Sequence, residues 1–386
     1  MIGWVVVMAK PGPRRDASAV SRRAFLIAAT AAGIAGTQGA RAKGARQSAD
    51  RAGPGSSTYK MGILGTGNIA ERAVIMPARD VPELSIEAVG SRTAQRGREY
   101  ADRHRIPRSL DYEALISDPA IDIVYIALPV SLHADWSVRA MEAGKHVLCE
   151  KPLASNTEEA VKVADAMRKS GRVYMEAFHY PYHPFARRVR DILDTRAIGA
   201  MVSVDASLDI PAQKMPPNNI RRQFALGGGV LMDAGCYPVR ALLDILGNFE
   251  RVVDARADID SADPQVDMTM SATLTFAGGR QGRLHTTFLA TDKLRMNVTV
   301  HGERGTLAID SLFVPQSGGA LRLDWEGHSY SEKADSSPSY LFQLRELVRC
   351  IRDGAPVLTS ADNGILTMRA IDAIYTKAGL RLRGTT

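Results

Sequence analysis

A lysine, an aspartate and a tyrosine in this sequence are of the types that take a proton off a hydroxyl and hold the charge left behind. Lys151 stands in Cys149-Glu150-Lys151-Pro152, directly after the short apolar run His146-Val147-Leu148-Cys149. An ammonium beside a hydroxyl stabilises the alkoxide as it forms and depresses the pKa of a neighbouring acid. The proline that follows allows a cis Lys–Pro bond that aims the side chain. Asp233 and Tyr237 lie in Leu226-Gly227-Gly228-Gly229-Val230-Leu231-Met232-Asp233-Ala234-Gly235-Cys236-Tyr237. Four residues apart on a helix, they share a face, so the carboxylate can orient a hydroxyl while the phenol transfers its proton. A helix-start charge and a core aromatic are the other roles open to this pair. Glycines 227–229 let backbone run close to a ligand, and Arg221 and Arg222 precede them as substrate contacts. In Glu176-Ala177-Phe178-His179-Tyr180-Pro181-Tyr182-His183-Pro184, the side chains of Glu176, His179, Tyr180 and Tyr182 read as a polar pocket wall or as a polar hinge between domains.

A second constellation points to a dinucleotide. Gly65-Thr66-Gly67-Asn68-Ile69-Ala70 follows the apolar run Tyr59–Leu64 at once. Gly65 permits a tight strand-to-helix turn, Gly67 lets the backbone approach a pyrophosphate, and Ala70 is small enough for close helix–strand packing. The phosphates then sit on the helix N-terminus, with Thr66, Asn68 and Ile69 in contact. Where an acidic residue would bind a ribose 2′-hydroxyl, the sequence has Ser91-Arg92, with Arg96 one turn on. A guanidinium there makes charge-assisted bonds to a 2′-phosphate, which favours NADP over NAD. No metal site is expected: Cys149, Cys236 and Cys350 lack ligand spacing and read as buried thiols.

These residues need a frame, and the apolar pattern supplies one. Strands at Tyr59–Leu64, Leu84–Gly90, Ile121–Ala127 and His146–Cys149 alternate with helical stretches at 93–105 and 132–143, the pattern of a doubly wound parallel sheet. After about residue 200, runs at 201–208, 268–276, 282–289, 295–301 and 306–310 read as consecutive strands, separated by hairpin signals such as Gly278-Gly279. The expected fold class is α/β: an N-terminal Rossmann dinucleotide-binding domain (59–177) and a C-terminal α+β domain (178–386) with an open, mostly antiparallel sheet. A helix at 363–378 closes the pattern.

The net charge of +7 sits at one end. Residues 1–58 carry nine Lys/Arg and two Asp, and residues 59–386 sum to zero, so the folded body has no surplus with which to neutralise nucleic-acid phosphates. Ser21-Arg22-Arg23-Ala24-Phe25-Leu26 opens a mildly apolar Ala/Gly-rich run ending near Ala40-Arg41-Ala42. This layout predicts a twin-arginine signal peptide over 1–42, with a flexible arm over 43–58. It implies a periplasmic or otherwise exported protein, or a cytoplasmic one if the leader does not function, with no membrane span once cleaved.

In order along the chain, GTGNIA, ALPVSLH, CEKP, MEAFHYPYHP, LGGGVLMDAGCY and AIDAIYTKAGL resemble the glucose–fructose oxidoreductase / inositol dehydrogenase (Gfo/Idh/MocA) family from Tyr59 to Leu380. The resemblance implies an oxidoreductase acting on CH–OH groups of a sugar or related polyol. Lys151 would assist catalysis, Asp233 would position substrate and Tyr237 would be the acid/base. Cofactor contacts would extend to Leu128, Pro129, His133 and Glu150. Many members carry His where this chain has Tyr237, and Tyr is similar to the branch of glucose–fructose oxidoreductase, dimeric dihydrodiol dehydrogenase and NADP-dependent xylose dehydrogenase. The family's usual Asn after that Pro is Val130 here. As implied, a sugar hydroxyl loses its proton to Tyr237 while Lys151 stabilises the alkoxide and keeps the phenol's pKa low. The family also implies a homo-oligomer through the C-terminal sheet. With export, a tightly held NADP would cycle between two sugars, and the arm would fold over it. The rival readings are an exported NAD-dependent glycosidase of the same fold and a non-catalytic sugar or cofactor sensor.

Overall fold

The β-rich run Tyr59–Leu64 forms β1, the middle of a parallel sheet. Its companions are β2 (Leu84–Gly90), β3 (Arg108–Leu110), β4 (Ile123–Ile126), β5 (His146–Cys149) and β6 (Tyr174–Glu176), in the order β3-β2-β1-β4-β5-β6. The structure, a computed structural model, describes Thr58–Thr385; the expected leader (1–42) and all of the arm but Thr58 lie outside the described residues. β1, β4 and β5 are buried on both faces, which is why they read as unbroken apolar runs rather than as alternation. Met61, Ile63, Tyr125 and Leu148 point to one face, and Leu64, Val124, Ile126 and Val147 to the other.

The second sheet has eight strands among the described residues: β7 (Met201–Pro211), β8 (Phe249–Ile259), β9 (Asp267–Phe276), β10 (Arg280–Ala290), β11 (Arg295–Gly302), β12 (Gly305–Asp310), β13 (Ala320–Trp325) and β14 (His328–Lys333). Its order is β14-β13-β12-β11-β7-β10-β9-β8, antiparallel except where β7 runs parallel to β10. The apolar pattern foretells β7, β9, β10, β11 and β12 but misses β8, β13 and β14. β8 and β14 are edge strands with mostly exposed side chains, so burial imposes no apolar alternation on them.

The helix Cys236–Leu246 lies against β7 and β10. Two later helices return to the first sheet. Ser339–Asp353 places Tyr340, Leu344 and Leu347 in the core on one of its faces, while Ala361–Lys377 packs on Thr157–Ser170 over the other. Thr157 N–H donates to Asp372 Oδ2 at 2.8 Å across that second contact. The carboxyl ends of the parallel strands therefore face a cleft whose other walls come from residues 208–341.

Candidate active site

Where β1 ends, the chain must turn inside a space set by β4: Ala127 N–H donates to Leu64 O at 2.9 Å. Gly65 makes this turn at φ +104°, and a Cβ there would lie 2.6 Å from Ala127 O, so no other residue fits. At Gly67 a Cβ would meet nothing closer than 3.7 Å, which leaves an open backbone face. The helical stretch 68–78 begins there, with a widened π turn at Glu71–Ile75. Arg96 reaches back to Thr66 Oγ1 at 3.5 Å, Ser91 is buried, and Arg92 is exposed beside them. Gly65, Thr66, Gly67, Asn68, Ser91, Arg92 and Arg96 thus form a rim beyond the strand ends. Ile69, Leu128, Pro129, His133, Glu150 and Lys151 continue inward as walls of a cleft of about 1030 Å³. A cationic rim and a glycine turn without side chains, beside a cleft of this volume, fit a phosphorylated dinucleotide.

His133 is buried, with Nδ1 2.8 Å from Pro152 O and Nε2 2.9 Å from Leu128 O. Its ring therefore ties the Leu128-Pro129 loop to the turn carrying Lys151, whose bond to Pro152 is cis. Glu150 accepts from Tyr125 O–H at 2.7 Å.

Lys151 and Asp233 meet at the cleft floor. Lys151 Nζ donates to Asp233 O at 2.5 Å and Oδ1 at 3.2 Å, and Arg221 Nε lies 2.8 Å from the same Oδ1. Burial opposes the charge on Asp233, but Lys151 and Arg221 overcome it and hold its pKa at about 2. Burial likewise opposes the charge on Lys151, and Asp233, Cys236 and Glu150 raise its pKa above the ordinary value. An ammonium has three N–H groups. Two are spent on Asp233, and the third is available to an oxygen in the cleft.

The helix bearing Asp233 and Tyr237 differs from the expected plain α-helix. Leu231–Gly235 is a π turn that passes into the α-helix at Cys236. A Cβ on Gly235 would stand 2.9 Å from Leu231 Cδ1 and 3.0 Å from Thr286 Cγ2, so the glycine lets this widened turn lie on β10. Asp233 and Tyr237 still both face the cleft. The expectation that Lys151 keeps the phenol's pKa low needs correction. Nζ is 5.1 Å from the Tyr237 ring centroid and is paired with Asp233. Burial pushes the phenol well above its usual value, and Tyr340, Glu150, Cys236 and Asp233 add to the shift.

Of the six expected substrate contacts, His179 and Arg221 line the cleft and the other four do not. Glu176 is fully buried, accepting Leu153 N–H on Oε1 at 2.7 Å. Tyr180 donates to Asp244 at 3.2 Å and packs beside Tyr237 and Phe313. Tyr182 O–H pairs with Thr359 Oγ1 at 2.8 Å, and Arg222 forks onto Asp260 at 2.6 and 2.9 Å. Each is a polar group near a strand end or loop whose partner comes from a distant segment, so proximity to the motifs misplaced it. The three cysteines are free and buried, and no cluster of metal-ligating side chains occurs among the described residues.

Glu176 carries a prediction of its own. Burial raises its pKa from 4.5 to about 7. A carboxyl whose folded pKa exceeds its unfolded pKa stabilises the fold below the unfolded value, and that contribution is lost as pH rises through the folded one. Between pH 5 and 8 the wild type should lose roughly 2–3 kcal/mol from this group, and Glu176→Gln should not. Urea midpoints at both pH values check this; parallel losses in the two proteins would dismiss it.

Residues the sequence did not reveal hold the glycine loop. Arg383 is fully buried, donating from Nε to Gly228 O at 2.6 Å and from Nη2 to Asp267 Oδ1 at 2.7 Å. Asp267 also accepts Tyr375 O–H at 2.9 Å and Leu231 N–H at 2.8 Å. Gly229 passes so close that a Cβ would sit 2.1 Å from Asp267 Oδ1. The turn leading to Asp233 is thereby clamped from beneath. A charged tail in Leu382-Arg383-Gly384 offers no local signal of this.

The fold has counterparts among known proteins. Residues 59–178 match the oxidoreductase family, NAD-binding Rossmann fold (GFO_IDH_MocA), and residues 186–308 match the GFO/IDH/MocA C-terminal domain. The chain is 35% identical over 324 residues to D-xylose 1-dehydrogenase (NADP(+)) 2 of Haloferax volcanii, covering 82% of this chain and 96% of that one. A 3-ketoreductase from Actinomadura kijaniata, solved with NADP and TDP-benzene, superposes with a TM-score of 0.77 at 28% identity, over 83% of this chain and 98% of that one. An aldose-aldose oxidoreductase from Caulobacter crescentus, solved with glycerol, gives a TM-score of 0.76 at 28% identity with the same coverage.

Proposed function

The chain belongs to the Gfo/Idh/MocA oxidoreductase family, and we propose that it is an NADP-dependent oxidoreductase that interconverts a sugar or polyol CH–OH group and its carbonyl. The observation that carries the reading is the meeting of Lys151, Asp233 and Tyr237 on the floor of a cleft that opens from the glycine-turn rim. The likeness to a xylose dehydrogenase and an aldose-aldose oxidoreductase supports a sugar as substrate. When bound, NADP supplies the hydride acceptor or donor. The protein's own part is to hold and to move the proton. Asp233, itself fixed by Arg221, holds Lys151 charged, and the remaining N–H of Lys151 stabilises negative charge on the substrate oxygen. Tyr237 exchanges the proton with that oxygen.

Ser91, Arg92 and Arg96 on the rim would hold the 2′-phosphate, Gly65 to Ile69 the pyrophosphate, and Leu128 and Pro129 the inner half of the cofactor. We further take residues 1–42 as a twin-arginine leader that exports the folded enzyme with NADP aboard, the retained cofactor then serving two sugars in turn.

The test is the near-UV spectrum of the purified mature protein, followed through addition of aldoses. Reduced nicotinamide should appear in stoichiometric amount and vanish with a carbonyl acceptor. Protein that arrives empty and turns over only with added NADP would refute the closed cycle but keep the dehydrogenase; protein inert to both would refute the enzyme. In the same assay Arg92→Ala should weaken NADP roughly 10- to 100-fold, the loss of one charge-assisted contact, and leave NAD unchanged. Equal losses for both nucleotides would take Arg92 off the phosphate.

A further inference from the structure

A chain of hydrogen bonds runs from the Tyr237 hydroxyl through buried His179 and Ser339 to Gln316 on the cleft wall. The phenol oxygen lies 3.5 Å from His179 Nε2, and His179 Nδ1 lies 2.8 Å from Ser339 Oγ. Ser339 Oγ is in turn 3.0 Å from Gln316 Oε1, which also accepts the Ser339 backbone N–H at 3.4 Å. That backbone N–H settles every direction in the chain. It can only donate, so the Gln316 atom facing Ser339 is the carbonyl oxygen. The Ser339 hydroxyl must then donate to the same oxygen, which uses its single hydrogen. Ser339 Oγ can only accept from the imidazole, so the His179 proton is on Nδ1. The lone pair of Nε2 is therefore left facing the phenol, and Tyr237 O–H donates to it. At 3.5 Å this bond is long, as catalytic hydrogen bonds commonly are before substrate is seated.

The surroundings keep the imidazole neutral. His179 is 2% exposed, with its ring 4.0 Å from that of Tyr340 on the helix Ser339–Asp353. Arg72 from the stretch 68–78, Lys151 from the turn after β5 and His183 on its own segment all disfavour a positive charge there, and burial disfavours it more. Its pKa falls to about 3, so the lone pair is present at every working pH. The phenol stays protonated at neutral pH in this setting, because burial holds its pKa well above the usual value.

We propose that His179 is the proton partner of Tyr237: it accepts the phenol's hydrogen bond and receives that hydrogen as the substrate proton arrives. This rests on the oxidoreductase reading above. In the oxidation step, the carbinol C–H bond breaks and its electron pair leaves with hydrogen to NADP. The O–H bond breaks and its proton joins the phenol oxygen, while the electrons of that bond form the C=O. The phenol's own hydrogen moves to His179 Nε2, giving an imidazolium, so tyrosinate is never formed. Burial, Arg72 and Lys151 make that imidazolium strongly acidic, so once the carbonyl product leaves, the proton returns through the Tyr237 hydroxyl to water in the cleft. Carbonyl reduction runs the path backward. His179 touches the reacting proton only through Tyr237 and is therefore a positioning residue with a proton to hold.

Two measurements test this. The first needs no turnover: ¹⁵N spectra of the full-length histidine-labelled protein from pH 5 to 9, with the His179 signal assigned by its loss in His179→Gln. The expected signal is a neutral ring protonated at Nδ1 across the whole range. A ring protonated at Nε2, or one that titrates near the ordinary histidine pKa, overturns the proposal. The second is the pH profile of sugar oxidation. The wild type should be flat with respect to His179. His179→Gln should lose about 10²-fold in kcat at pH 7, regain about tenfold per pH unit toward pH 10 as the phenol ionises, and change KM little. Ser339→Ala, which leaves the imidazole but frees its tautomer, should show a smaller loss with the same bend. An unchanged profile in His179→Gln, or a uniform loss of the same shape, overturns the relay. A wild type that moves no hydride with any aldose or polyol condemns the functional reading instead, while the nitrogen spectrum still decides the direction of the hydrogen bond.

Discussion

Tyr237→Phe should lower kcat for sugar oxidation about 10³-fold, within the range that positioned acid–base groups contribute, while NADP binds as before. The phenol is the group placed to take the substrate proton: it faces the cleft, with the Lys151 ammonium 5.1 Å from its ring centroid. Phenylalanine keeps the ring and its edge-on contact with Phe178, whose centroid is 5.2 Å away, so the aromatic packing survives. The change removes one oxygen and little else. Steady-state kinetics with saturating NADP, beside fluorescence titration of the nucleotide, separate the outcomes. Loss of kcat with intact binding supports the assignment, and full turnover in the variant would falsify it. A joint collapse of binding and stability would make Tyr237 a packing residue.

Arg383→Ala should destabilise the protein by about 3–5 kcal/mol, the usual cost of removing one member of a buried ion pair. Both Arg383 and Asp267 are fully buried, and alanine would leave the carboxylate with only the Tyr375 hydroxyl and the Leu231 amide. Burial already raises the Asp267 pKa against the pull of Arg383. In the variant it rises further, and a raised carboxyl pKa gives stability at low pH that is lost as pH rises. The urea midpoint of Arg383→Ala should therefore fall more at pH 8 than at pH 5. The double change Asp267→Asn with Arg383→Met should recover part of the loss by leaving no buried charge. A single variant within about 0.5 kcal/mol of wild type, the ordinary surface range, would mean that the clamp carries no load.

The parts of the site that were legible in the sequence are those whose chemistry is local. Gly65 and Gly67 follow a strand directly because the turn itself demands them, and Lys151 stands where a parallel strand ends. Asp233 and Tyr237 share a face whether the turn between them is α or π. Glu176, Tyr180, Tyr182 and Arg222 misled because a polar side chain beside a strand end looks the same whether it faces a cleft or an internal partner. What decided it was Leu153, Asp244, Thr359 and Asp260, all brought in by tertiary folding. Ser339, Gln316, Asp267 and Arg383 were missed for the same reason, since none forms a motif with its sequence neighbours. In the fold, β1, β4 and β5, buried on both faces, were clear, while the edge strands Phe249–Ile259 and His328–Lys333 were not, because water on their outer faces places no demand on residue type.

The return of Ser339–Asp353 and Ala361–Lys377 to the first sheet has a consequence for how the molecule assembles. Asn156 Nδ2 donates to Arg383 O at 2.8 Å across 227 positions of chain, and Arg383 in turn holds Gly228 O on the cleft wall, so this side of the site closes by contacts of very high sequence separation. Such closures carry their entropic cost before they return any stabilisation, and they make folding slow. An N-terminal fragment ending near residue 177 would leave the Thr157–Ser170 helix without the neighbour that covers it. Its nucleotide turn would be present, but its apolar flank would be bare to water. The Thr157–Ser170 helix therefore depends on Ala361–Lys377 for its cover, and the glycine loop that lines the cleft waits on Arg383 for its clamp.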